Sequence, residues 1–223
     1  MLRQLDFHGT ELAELDRKVA IEALDDADIH RLMTIPGVDV NVALSVAAAV
    51  GDFARFRSAD KLVASFGLNP RVRQSGGLPA ATGRITKTGR SQVRGMLVEA
   101  AWVASRSPGP LHAFYQRIKS RRGIQVAIVA TARKMTTLCW HLVTKGQDYA
   151  FARPSLVAFK RRKLQLQAGA ERRVARRGLG YEYNDKALRR HEREIVEQQE
   201  HAYAVMTSHW QPRGPATAPK NTT

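Results

Sequence analysis

Cysteine occurs once in the 223 residues, at Cys139. A lone cysteine excludes an internal disulfide and any multi-cysteine zinc centre; set within "TTLCWHLV", it reads as a small buried hydrophobe. The histidines are scattered, with no pair at helical ligand spacing beside an acid, so no metal site is expected in the chain. No apolar run approaches the length of a membrane span. The opening "MLRQLDFHGTELAELDRK" also lacks the basic start, apolar stretch and small-residue cleavage site of a leader, so a cytoplasmic protein with no membrane partner is expected. Acid is scarce as well: 20 Asp and Glu face 36 Lys and Arg, for a formal charge of +16 and a pI near 10.7. Cations at that density repel one another unless counter-charge is supplied, and nucleic acid is the leading partner, with nucleoid association as the corollary. Charge alone also fits an anionic membrane surface or a ribosomal or packing protein.

What is present is enough for a folded core, since 43% of the residues are hydrophobic. The spacing of Leu12, Leu15, Val19 and Leu24 among charges predicts an amphipathic helix that packs on a partner or on another helix. In "LMTIPGVDVNVALSVAAAVGDFARF", Pro36-Gly37 breaks one helix and Val42–Val50 forms another. That is the pattern of a helix-hairpin-helix, whose turn at Gly37 and following helix start would offer N–H groups to a phosphate. Asp39 stands where the usual second glycine would be and would repel a phosphate, so an αα-corner used only for packing is the alternative. A short helix anchored by Leu62, Val63 and Phe66 stops at Gly67 and Pro70. Helices follow from Ser91, as N-cap, through Ala104; around Leu111 to Ile118; and from Ile124 to Lys145, ending at Gly146. These three are expected to form one bundle. Beyond residue 150, "FKRRKLQLQAGAERRVARRG" and "KALRRHEREIVEQQEH" are charge-dense and poor in core residues, which predicts a basic, largely flexible tail over 151–223. The fold class expected is therefore mostly α, with a short irregular or β loop in residues 29–150.

That loop is the unusual stretch. "RVRQSGGLPAATGRITKTGRSQVRG", from Arg71 to Gly95, contains no acid and sets Ser75 beside Gly76 and Gly77. Attack of a serine hydroxyl on a phosphodiester needs cations that neutralise a pentavalent transition state, and Arg71, Arg73, Arg84, Lys87, Arg90 and Arg94 lie near it in sequence. Glycines let a bulky strand approach the backbone. A serine next to two glycines also suits a simple turn. Two partial motifs are chance matches: Ser58 to Lys61 fits S-x-x-K and Lys87-Thr88-Gly89 fits K-T-G, but the S-D-N element of the penicillin-binding enzymes is absent. No phosphate-binding G-x-x-x-x-G-K-[ST] loop occurs.

Taken in order, "LMTIPGV", "RFRSADKLVASFGLNPRVRQSGG", "GRITKTGRSQVRGMLVEAAW" and the apolar helix around "ARKMTTLCWHLV" resemble the C-terminal transposase domain of the IS110 and related IS1111 insertion-sequence family. The likeness covers roughly residues 29–149. It implies DNA transposition and recombination guided by a structured RNA, by a serine recombinase in which Ser75 is the nucleophile. The basic residues after Ser75 would then position the strand and stabilise charge. The resemblance also implies a RuvC-like domain carrying a magnesium site, which nothing before Met33 could form, and makes residues 1–28 resemble the end of the coiled-coil helix that connects it. No cofactor is therefore expected within this chain, and Mg2+ only on that domain. Either a shortened transposase copy or one half of a split protein is expected, with a separate RuvC-like domain and further copies of the chain as partners. The rival reading is a non-catalytic helix-hairpin-helix module that binds DNA or RNA through its basic surface.

Overall fold

The computed structural model describes residues 2–73, 81–171 and 182–209. Helix α1 (Leu2–Asp25) is long and mostly exposed, touching the core through Ala20 and Ala23 near its end. Helix α2 (Ala27–Met33) starts where the Asp26 carboxylate accepts from the N–H groups of Asp28 and Ile29, at 2.8 and 3.1 Å. Such a cap satisfies donors that the first helical turn leaves open. A tight turn through Gly37 leads into α3 (Val40–Val50). Asp39 caps α3, accepting from the Val42 N–H at 3.0 Å, so this helix begins two residues before the Val42 expected from sequence. A short 3-10 turn (Phe53–Arg55) and α4 (Ala59–Ser65) follow.

Two short strands, β1 (Pro70–Arg73) and β2 (Ala81–Ile85), pair antiparallel and precede α5 (Ser91–Ala104). Ser91 is the first residue of α5 rather than its cap: Arg90 holds the cap position, and no side chain accepts there. Helix α6 (Pro110–Arg122) begins with a proline, which suits a position whose N–H has no helical partner. Helix α7 (Ile124–Lys145) ends at Gly146 in the left-handed conformation, as its sequence predicts.

Helix α7 is the axis of the core. It packs on α2, α4, α5 and α6, burying Ala127, Ile128, Ala132, Met135, Cys139 and Leu142. Full burial of a large aliphatic side chain contributes about 1.5–3 kcal/mol each. Burial also pushes the Cys139 thiol up to about 12, so it stays protonated and inert at neutral pH. Three polar contacts set the register: Trp140 Nε1–H donates to the Phe56 carbonyl at 3.1 Å, Arg133 pairs with Asp60 at 3.1 Å, and the Tyr149 N–H donates to Thr34 Oγ1 at 2.9 Å. Among the described residues the fold is helical apart from the one strand pair, as the sequence predicts.

The largely flexible tail expected after residue 150 is corrected for two segments. Helix α8 (Pro154–Gln167) lies against α1 and α2, and α9 (Lys186–Ser208) lies against α6 and α8. Few apolar residues are needed because charged groups replace them. Lys160 Nζ donates to the carbonyls of Met33, Ile35 and Val38 at 2.7, 3.0 and 2.8 Å, closing the α2–α3 turn from behind. Burial lowers its pKa to about 8, while the Asp39 carboxylate pulls the other way. On α9, Glu192 accepts from the backbone N–H of Ser155 at 2.9 Å and from its hydroxyl. Glu200 accepts from the Gly109 N–H at 2.8 Å and pairs with His112 Nδ1 at 2.5 Å. One face of α9 thus supplies carboxylates to the starts of α8 and α6, where N–H groups and helix dipole favour negative charge.

Candidate nucleic-acid interface

The strand pair and the loop after it form a platform built on the end of α4. Phe66 closes α4, and Gly67 turns the chain with a φ of +68°. A Cβ at Gly67 would stand 2.5 Å from the Thr88 carbonyl oxygen, so only glycine admits the loop here. Gly89 has the reciprocal constraint: at φ +120°, its Cβ would lie 2.1 Å from the Ser65 carbonyl oxygen. The loop is laced down between these glycines. The N–H groups of Thr86, Lys87 and Arg90 donate to the carbonyls of Asn69, Gly67 and Ser65 at 2.9, 3.1 and 3.2 Å, and Thr86 Oγ1 donates to Asn69 Oδ1 at 2.9 Å.

The register pairs Pro70 with Ile85, Val72 with Thr82 and Arg73 with Ala81, with an irregularity between Pro70 and Val72. Ser75, with Gly76 and Gly77, belongs to the segment joining Arg73 to Ala81 and lies outside the described residues. The two flanks of that segment are held side by side on the platform by the Arg73–Ala81 pairing.

The cations expected around Ser75 divide into two kinds. Arg84, Lys87 and Arg90 are exposed. Lys87 has a φ of +58°, the one positive φ outside glycine among the described residues. A left-handed residue with a Cβ costs roughly 1–2 kcal/mol, a cost offset here by the hydrogen bonds of the loop. Arg71 is exposed and donates to the Thr86 carbonyl at 3.3 Å, partly committed to the platform. Arg94 belongs to the fold: its Nη1 donates to the Phe66 carbonyl at 2.9 Å and to the Lys87 carbonyl at 3.3 Å, tying α5 to the loop. The Arg73 backbone is in β1.

Gly37 lies away from this platform, in the α2–α3 turn. Its φ is +86°, and a Cβ would stand 2.2 Å from the Ala100 carbonyl oxygen on α5. Close helix packing therefore accounts for the glycine. Asp39 occupies the Val42 donor, and Lys160 occupies three carbonyls of the same turn. The packing corner weighed from sequence describes these contacts better than an open phosphate seat does.

Charge follows the same division. Between Asp60 and Asp148 the sequence holds a single acid, Glu99, against fifteen lysines and arginines. Sequence reading found the exposed cations by composition but missed the scaffold of Ser65, Gly67, Asn69, Thr86 and Gly89. The signal for it was present in "SFGLNP" and "TKTG", two glycine turns spaced to lie on one another.

Known proteins similar to this chain are transposases. Residues 29–116 match the transposase IS116/IS110/IS902 family. The chain is 32% identical over 160 residues to the transposase for insertion sequence element IS1111A of Coxiella burnetii, covering 67% of this chain and 44% of that protein. It is 30% identical over 142 residues to a probable family 20 transposase of Pseudomonas aeruginosa, covering 62% and 42%. Over 144 residues it is 30% identical to the transposase for insertion sequence element IS1328 of Yersinia enterocolitica, covering 63% and 43%. The chain thus spans less than half the length of these curated relatives. Matched over its α2–α3 turn, platform and first bundle helices, the chain belongs to the transposase IS116/IS110/IS902 family.

Proposed function

We propose that this chain acts in DNA transposition as a serine recombinase, with Ser75 as nucleophile. The observation that carries the reading is the platform: an acid-free loop with exposed Arg84, Lys87 and Arg90, pinned beside the two strands that lead into and out of the serine segment. Its hydrogen bonds fix the loop before any ligand arrives, and preorganised cations stabilise developing phosphoryl charge without reorganising during the reaction.

In the proposed step the Ser75 hydroxyl attacks a scissile DNA phosphate. The Oγ–P bond forms as the bond to one deoxyribose oxygen breaks; the serine proton leaves to a base, and the departing oxygen is protonated to a hydroxyl. A hydroxyl on the recombining strand then attacks the phosphoserine, restoring the serine and joining the strands. Each attack conserves the phosphodiester count, so no external energy source is needed.

A structured guide RNA, a separate RuvC-like domain and further copies of the chain belong to the same proposal as partners, with the cytoplasmic nucleoid as the place of action. Among the described residues no three acid, histidine or cysteine side chains come together as a metal site. The magnesium implied by the resemblance is therefore given no ligand on these residues, and no step is routed through it.

The test is a covalent-adduct assay with end-labelled element DNA, guide RNA and a supplied RuvC-like domain. Wild type is expected to yield a denaturation-resistant protein–DNA adduct and Ser75→Ala none, while the variant keeps its DNA affinity. Equal adduct from Ser75→Ala would show that another residue is the nucleophile.

A further inference from the structure

The bundle has a second basic surface, at the corner where α6 turns into α7. Residues 119–126 are exposed without interruption and contain no acid. Lys119, Arg121 and Arg122 stand on the last turn of α6; Gly123, at φ +80°, makes the bend, and Ile124 and Val126 are each 46% exposed beside them. Helix α7 begins at this corner with no side chain capping its first turn and no acid in it. The positive end of a 22-residue helix therefore adds to the three side-chain charges.

The fold brings this corner to the same end of α7 as the platform. Phe56 meets Trp140 and Asp60 meets Arg133, so the chain entering α4 advances toward the start of α7. From Asp60, the platform at Gly67 lies about 10 Å further on, and Gly123 lies about 15 Å from Arg133, at 1.5 Å of rise per residue. Two acid-free basic surfaces thus lie toward the same end of α7, offset by about 5 Å along its axis at that rise.

Resting on the reading of the chain as DNA-acting, we propose that the α6–α7 corner is a second docking surface for duplex DNA, gripping the phosphate backbone that flanks the segment held at the platform. Lys119, Arg121 and Arg122 neutralise phosphates. Ile124 and Val126 lie against the sugar edge, where a purely ionic patch would have no use for exposed aliphatic residues. The corner adds affinity and orientation without reading sequence.

The experiment measures binding of a fluorescein-labelled, mixed-sequence DNA duplex across a salt series for the full chain and two triple variants. One is Lys119→Gln/Arg121→Gln/Arg122→Gln at the corner; the other is Arg84→Gln/Lys87→Gln/Arg90→Gln on the platform. Unchanged circular dichroism and melting temperature establish that each is folded. The corner variant is expected to reduce the salt slope by about 2 to 3, at about 0.9 for each phosphate no longer neutralised. A wild-type slope in the corner variant, with a reduced slope in the platform variant, overturns the second surface while leaving the DNA reading in place. Wild-type slopes in both overturn the inference together with that reading. A corner effect seen with a structured RNA hairpin and not with the duplex overturns the assignment to DNA.

Discussion

The platform and the C-terminal helices are both basic in sequence, yet they use their charges in opposite ways. On the platform the backbone does the building: glycine turns and N–H to carbonyl bonds hold the loop, which leaves Arg84, Lys87 and Arg90 in solvent. In the C-terminal helices the charges do the building. Lys160 bonds three carbonyls, Glu192 and Glu200 cap helix starts, and Arg153 and Arg189 donate to the carbonyls of Arg189 and Tyr183. Helix α9 also alternates acids with cations, as in the Arg193–Glu197 pair at 2.7 Å, and presents little net field. Charge density by itself therefore identifies neither surface. What separates them is whether the fold has already used the charge.

Removing the backbone device on the platform side should have the largest effect. Gly89→Ala should destabilise the protein by about 3 kcal/mol, since it adds a Cβ against the Ser65 carbonyl at a φ that side chains avoid. Urea unfolding would measure this, and a loss under about 1 kcal/mol would mean the loop shifts freely on α4. On the other side, Lys160→Met should cost about 2 kcal/mol by leaving the carbonyls of Met33, Ile35 and Val38 without their donor. DNA affinity should hardly change, because the Lys160 ammonium faces the interior of the fold. Thermal melting and duplex titration of the same variant check both halves of that expectation.

The helices were legible from sequence where one signal dominated. The apolar period and terminal Gly146 marked α7, and Pro36-Gly37 marked the turn before α3. The C-terminal helices were not legible, because their burial rests on pairs far apart in the chain. Glu192 meets Ser155 and Lys160 meets Met33 across separations that no local pattern encodes. At the site, sequence identified the cations but could not sort them. Arg94 looked like its neighbours until α5 placed it over the Phe66 and Lys87 carbonyls. Gly37 resembled a phosphate turn because the same φ serves a ligand or a helix packed close behind it.

Duplex binding against salt in two matched triple variants separates free charge from charge that the fold has used. Arg84→Gln/Lys87→Gln/Arg90→Gln on the platform should lower the slope by about 3 and leave the melting temperature unchanged. Lys186→Gln/Arg190→Gln/Arg193→Gln, removing three exposed cations of α9, should leave the slope at its wild-type value. Equal slope losses in the two variants would contradict the account, because DNA would then respond to total charge rather than to the platform.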